Sequence, residues 1–122
     1  MTIRTDVIAQ HYLIGGDWGA ENALHSHHYV LELRLDGSGL DEHGYLADIV
    51  RVEAELRRVR NRFADRLLNE RPEFKGLNPS IEHFARIVCQ DLAKHLAAPN
   101  LTQIAVRVWE NDVASASYSQ SF

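Results

Sequence analysis

The spacing of apolar residues changes twice along this chain, and that change limits the fold more than any other feature of the sequence. From Thr5 to Ile14 residues alternate with period two, Val7, Ala9, His11 and Leu13 on one face and Asp6, Ile8, Gln10 and Tyr12 on the other, which predicts a strand. Gly15, Gly16, Asp17, Trp18 and Gly19 interrupt it. A second alternating run, His25 to Leu35, ends at the turn signal Asp36-Gly37-Ser38-Gly39. Its inward face is His25, His27, Tyr29, Leu31, Leu33 and Leu35, and its outward face is polar apart from Val30, as expected of a sheet covered on one side.

From Asp48 the period becomes helical, with Ile49, Val52, Leu56, Val59, Phe63 and Leu67 spaced by three or four, and this helix must end before Pro72. Asn78-Pro79 reads as an N-cap followed by proline at the first helical position of a second helix, whose stripe is Ile81, Phe84, Ala85, Val88, Leu92 and Leu96. Alternation returns over Thr102–Glu110, and Asn111-Asp112 reads as a hairpin turn into a last strand, Val113–Ser119. The expectation is an α+β domain of order ββααββ, a four-stranded antiparallel sheet with two helices on one face. Such a sheet leaves open edges, which invite pairing with another copy, so a homo-oligomer is expected.

At 122 residues, 45% apolar and 25% charged, the chain suits one domain, residues 1–122, with one core. A net charge of −4 disfavours general binding to nucleic acid. The arginines of the first helix, Arg57, Arg58, Arg60, Arg62 and Arg66, follow Glu53 and Glu55 and read as a solvated face. No stretch is apolar enough to span a bilayer and no signal sequence is recognisable, so a cytoplasmic protein without membrane contact is expected. The single cysteine, Cys89, rules out an internal disulfide and multi-cysteine zinc motifs, and its place in the second helix marks it as core.

Chemistry is most legible in the seven histidines. His25 and His27 leave the same face of one strand at a separation a single ion can bridge, and His11 adds a third nitrogen if the first two strands pair. Three neutral histidines with an open fourth position describe a catalytic zinc site, although a His-x-His pair taken alone is more often packed or exposed. His28 points to the other face, and His43, His83 and His95 have no partner by spacing. Glu110 shares the inward parity of Ile104, Val106 and Val108, where a carboxylate needs a partner.

These residues resemble a known family, the 6-pyruvoyltetrahydropterin synthases and 6-carboxytetrahydropterin synthases. That family has a histidine late in strand one and then Cys-x-x-x-His-Gly-His-x-Tyr; here stand His11 and Glu21-Asn22-Ala23-Leu24-His25-Ser26-His27-His28-Tyr29. Gly44-Tyr45-Leu46-Ala47-Asp48, Leu68-Asn69, Pro79-Ser80-Ile81-Glu82-His83-Phe84-Ala85, Glu110 and Tyr118 match later family positions in order. The resemblance implies the T-fold (tunnelling fold), whose subunits join edge to edge into a barrel as trimers or hexamers. It implies zinc on His11, His25 and His27, a pterin-like ligand anchored by Glu110 at a subunit interface, and Ser80 among the substrate-binding residues. A carboxylate suits the anchoring because it accepts two parallel hydrogen bonds from a ring N–H and an adjacent amine.

The proton-transfer residues depart from the family pattern. Glu21 replaces the cysteine, and Ala64-Asp65, or Asp65-Arg66 in the neighbouring register, stands where the family has Asp-His. Glutamate at the first position resembles the type III homologues, which release 6-hydroxymethyldihydropterin. The reading implied is a zinc-dependent carbon-oxygen or carbon-carbon lyase on a reduced pterin, with Glu21 as general base, Asp65 as assistant, and little standard synthase activity. The alternative is a zinc-containing homologue that binds a pterin- or purine-like ring without catalysis.

Overall fold

A computed structural model describes residues 1–122. Four strands, β1 (Thr2–His11), β2 (His25–Gly37), β3 (Leu101–Trp109) and β4 (Ser115–Ser121), form one antiparallel sheet in the order β1-β2-β3-β4. Two helices, α1 (Ile49–Phe63) and α2 (Ile81–Leu96), pass between β2 and β3 in the chain. Helix α1 lies against β1, and α2 lies against β3 and β4. The order ββααββ is the one expected from the change of period.

The inward alternation of β2 is realised, with Tyr29, Leu31, Leu33 and Leu35 buried beside Val7 and Ala9 of β1 and Ile104, Val106 and Val108 of β3. Val52, Leu56, Val59 and Phe63 of α1 and Phe84, Val88, Leu92 and Leu96 of α2 close this core. Phe84 is its hub: its ring lies edge-on to Tyr29 at 5.2 Å, Phe63 at 5.2 Å and Phe74 at 5.8 Å between centroids. Edge-to-face packing of this kind adds about 0.5–1.5 kcal/mol per pair beyond burial alone. Cys89 is fully buried, as expected.

Several boundaries differ from expectation. Strand β1 runs from Thr2 to His11 instead of Thr5 to Ile14, because beyond His11 the backbone turns to side-chain partners: Tyr12 N–H donates to Asn69 Oδ1 (3.0 Å) and Ile14 N–H to Asn78 Oδ1 (3.0 Å). Helix α1 stops at Phe63, short of Leu67, where Asp65 takes a left-handed backbone (φ 57°). The chain then lies along the free side of β1, Asp65 N–H donating to Ile8 C=O (2.7 Å) and Gln10 N–H to Arg66 C=O (2.9 Å). Ser80, not Asn78, caps α2, its hydroxyl accepting from His83 N–H at 3.2 Å, so that Pro79 precedes the helix. Strand β4 begins at Ser115 and not Val113, since Asn111 Oδ1 accepts from both Val113 N–H and Ala114 N–H and lengthens the turn.

Asp48 caps α1 through Val50 N–H (2.9 Å). The arginines of α1 are partly engaged within the molecule, Arg58 with Glu55 (2.7 Å) and Asp91 (2.8 Å), and Arg62 with Glu73. No helix is long and apolar enough to cross a membrane.

Candidate metal centre

Strand pairing assembles the site. The β1–β2 register sets His11 directly opposite His25 and Ala9 opposite His27, so three imidazoles share one face at the end of the sheet. Their Nε2 atoms converge: His11 to His25 is 2.9 Å and His25 to His27 is 2.9 Å. A short 3-10 turn, Gly19–Asn22, brings Glu21 onto the same point, with Oε2 2.7 Å from His25 Nε2, 3.8 Å from His27 Nε2 and 4.0 Å from His11 Nε2. All four ligand atoms lie within 4.8 Å of one another.

The outer nitrogen of His25 fixes its tautomer. A backbone carbonyl can only accept, so His25 Nδ1, 2.7 Å from Ala23 C=O, carries a proton and leaves a lone pair on Nε2 in the neutral ring. His11 Nδ1 is 2.8 Å from the buried hydroxyl of Tyr29, which can accept its proton in the same way. Imidazole lone pairs and a carboxylate facing one another at such distances repel unless a proton or a cation sits among them. Tetrahedral zinc at about 2.0–2.1 Å from its ligands spaces them about 3.3 Å apart, close to the separations here. The donor set therefore fits a divalent cation.

His11 is the buried member, 3% exposed. Burial, reinforced by the nearby His27 and His25 charges, pushes its pKa down to about 4, so the ring is neutral and ready to ligate at pH 7. Burial, followed by the charges of Glu110 and Glu21, pushes the Tyr29 phenol well above its ordinary value and keeps it protonated.

Other residues hold the frame. Asn69 reads the Tyr12 backbone as a strand neighbour would, accepting from its N–H and donating to its C=O at 2.9 Å, one residue beyond His11. Asn22 accepts from Trp18 N–H (2.7 Å) and donates to Leu13 C=O and Gly16 C=O (3.1 Å each), while Leu13 N–H donates to the Glu21 carbonyl at 2.9 Å. Sequence reasoning assigned no role to Tyr29, Asn22 or Asn69. For Tyr29 a signal existed, since it follows His25 and His27 on the inward face. Asn22 gathers backbone partners 4, 6 and 9 residues away in an irregular turn, and Asn69 finds its partner 57 residues away, so neither follows a periodic pattern.

The remaining candidates lie outside this cluster. Asp65 is exposed on the free side of β1 and is not among the four converging residues. Ser80 caps α2, next to Pro79, whose backbone lies near His11. Glu110, one residue past β3, lines a recess of about 470 Å³ with Arg4, His28, Val30, Trp109, Asn111 and Asp112. Arg4, His28, Val30 and Trp109 share the sheet face turned away from the helices, whereas Glu110, the residue after Trp109, stands opposite Tyr29 in the continued β2–β3 register and its charge acts on that phenol. His28 bonds Asp6 across the strands at 2.8 Å, and His83 and His95 bond backbone carbonyls at 2.9 Å, local roles in keeping with their lack of a partner by spacing.

The sequence matches the family model described as 6-pyruvoyl tetrahydropterin synthase over residues 1–121. Among solved structures, the Caenorhabditis elegans 6-pyruvoyl tetrahydropterin synthase superposes with a TM-score of 0.83 at 22% identity, covering 99% of this chain and 94% of that one. A Plasmodium vivax 6-pyruvoyltetrahydropterin synthase with a catalytic glutamate changed to alanine gives 0.84 at 15% identity, covering 100% and 97%. The Plasmodium falciparum synthase gives 0.81 at 13% identity over 100% and 97%. No curated protein matches the sequence. The likeness to these structures carries the T-fold, the match along the sequence carries more, and the chain belongs to the 6-pyruvoyl tetrahydropterin synthase family.

Proposed function

We propose that this protein is a zinc-dependent member of its family that acts on a reduced pterin or a close analogue, as an assembly of several subunits, with little standard synthase activity. The observation that carries this reading is the convergence of three Nε2 atoms on one point, with the Ala23 carbonyl holding His25 in its ligating tautomer. His11, His25 and His27 would hold the metal. When bound, zinc supplies a Lewis acid that polarises oxygen atoms of a ligand side chain and acidifies the adjacent C–H and O–H bonds.

Glu21 is the residue placed to take and return a proton. Its carboxylate adjoins the histidines yet is half exposed, so it can reach an incoming ligand. In the Plasmodium vivax synthase the residue changed to alanine is a glutamate described as catalytic, which supports a carboxylate in such a role. Asp65 is assigned an assisting role only through assembly or movement, since it stands apart in one chain. Glu110 would grip the amino-pyrimidine edge of the ring by paired hydrogen bonds, and its recess has a volume ordinary for small-molecule sites. Ser80 would add a hydroxyl from the start of α2. The reading places this ligand at a subunit interface. The free edge of β4 and the first half of β1 are the parts of the sheet available for joining subunits.

The separation of Asp65 from the cluster favours one second reading, a zinc-containing protein that binds a pterin- or purine-like ring without converting it. Incubation of zinc-loaded protein with dihydroneopterin triphosphate and related pterins, followed by chromatography, separates the two. Product that disappears in Glu21→Gln supports the enzyme. Binding with unchanged substrate across the series supports the second reading, and neither binding nor product contradicts both.

A further inference from the structure

We infer that Glu21 is a fourth, exchangeable metal ligand, which closes the coordination sphere while no organic ligand is present and must leave before one can enter. The inference rests on the metal reading proposed above and concerns the state of that same site. Three observations carry it. Glu21 Oε2 faces all three Nε2 atoms, at 2.7, 3.8 and 4.0 Å, so it lies over the cluster as a whole and not beside one ring. Those separations bracket the spacing of about 3.3 Å that a tetrahedral zinc site imposes on its ligands. Finally, the carboxylate has no polar side-chain partner other than these histidines.

The turn that carries Glu21 is built to hold it there. Gly19 adopts a left-handed backbone (φ 62°), and the three hydrogen bonds of Asn22 fasten the turn to Gly16, Trp18 and Leu13. Because Leu13 N–H also donates to the Glu21 carbonyl, Glu21 and His11 are tied to one stretch of backbone. Yet the Glu21 side chain is half exposed whereas that of His11 is buried, so the histidines form the fixed part of the set and the glutamate the movable part. An entering ligand takes the corner that Glu21 vacates. The displaced carboxylate is then free, still within reach, to accept a proton from that ligand. One residue thus guards the metal in the resting protein and becomes the base only when a ligand has arrived.

The test is metal affinity, by competition with a chromophoric chelator, and the visible spectrum of the cobalt(II)-substituted protein, for wild type, Glu21→Ala, Glu21→Asp and His25→Ala. Glu21→Ala is expected to weaken zinc binding at least about tenfold, no less than loss of a residue that merely supports a ligand, and to change the cobalt spectrum. Glu21→Asp keeps the charge but shortens the reach by one methylene, and is expected to follow alanine. Wild-type affinity and spectrum in Glu21→Ala would overturn the inference. Wild-type behaviour in Glu21→Asp with weakening in Glu21→Ala would also overturn it, showing an effect of charge alone. If His25→Ala loses the metal while the Glu21 variants do not, only this inference fails; if His25→Ala also binds normally, the metal reading itself fails.

Discussion

The hydroxyl of Tyr29 lies 2.8 Å from Nδ1 of His11, and this contact joins the hydrophobic core to the candidate metal centre. Tyr29 is fully buried against Phe84, so the ring of His11 is oriented by the same packing that holds α2 onto the sheet. Tyr29→Phe keeps the packing and removes the hydroxyl. It is expected to lower zinc affinity by about 10–100-fold, the usual effect of losing a partner behind a metal-ligating histidine, with α2 still in place. Chelator competition measures the first effect and circular dichroism the second.

Asn69 is expected to matter through the backbone. Asn69→Ala leaves the N–H and C=O of Tyr12 without their partners. Unsatisfied groups of this kind cost about 1–3 kcal/mol, which a lower urea midpoint would register. Because Tyr12 follows His11, zinc affinity should fall as well. Unchanged affinity would show that His11 is held by β1 alone.

The metal-free protein should lose stability as pH falls. His11 is held neutral in the folded state by burial and the neighbouring histidines, with a pKa of about 4 against 6.5 for a free histidine. Above pH 6.5 neither state binds this proton, and the group has no effect. Between pH 6.5 and about 4 the unfolded chain takes it up while the folded chain does not, so stability declines by up to about 3 kcal/mol over that window. Denaturant titrations of wild type and His11→Gln across this range check it, the variant showing the shallower decline.

Cys89 should be silent. Burial raises its thiol pKa to about 11 and no solvent reaches it. A thiol reagent at pH 8 should therefore react only at the rate of unfolding, and at once in denaturant. Rapid labelling of the native protein would contradict the packing of α2.

Much of this molecule was legible in residue periodicity. The alternation of Tyr29, Leu31, Leu33 and Leu35 and the three-four spacing of Val52, Leu56 and Val59 identify buried faces directly, because burial repeats with the geometry of the element. His25 and His27 could be paired from spacing alone, and His11 joined them once two adjacent strands were inferred. What the pattern does not contain is where the backbone finds unusual partners. Leu67 continues the stripe of α1, but Asp65 turns the chain before it, and β1 ends where Asn69 and Asn78 offer side-chain amides from 57 and 64 residues away. Glu21 stands out in the sequence for the cysteine it replaces, whereas its position over all three histidines depends on the turn held by Asn22.

The convergence of His11, His25 and His27 on one divalent ion is tested most directly by elemental analysis of the purified protein, before and after dialysis against zinc, together with His25→Ala and His27→Ala. The account predicts close to one zinc per chain in the wild type and loss of it in both variants. A wild-type protein that holds no metal after zinc loading, or variants that hold as much as wild type, would contradict it.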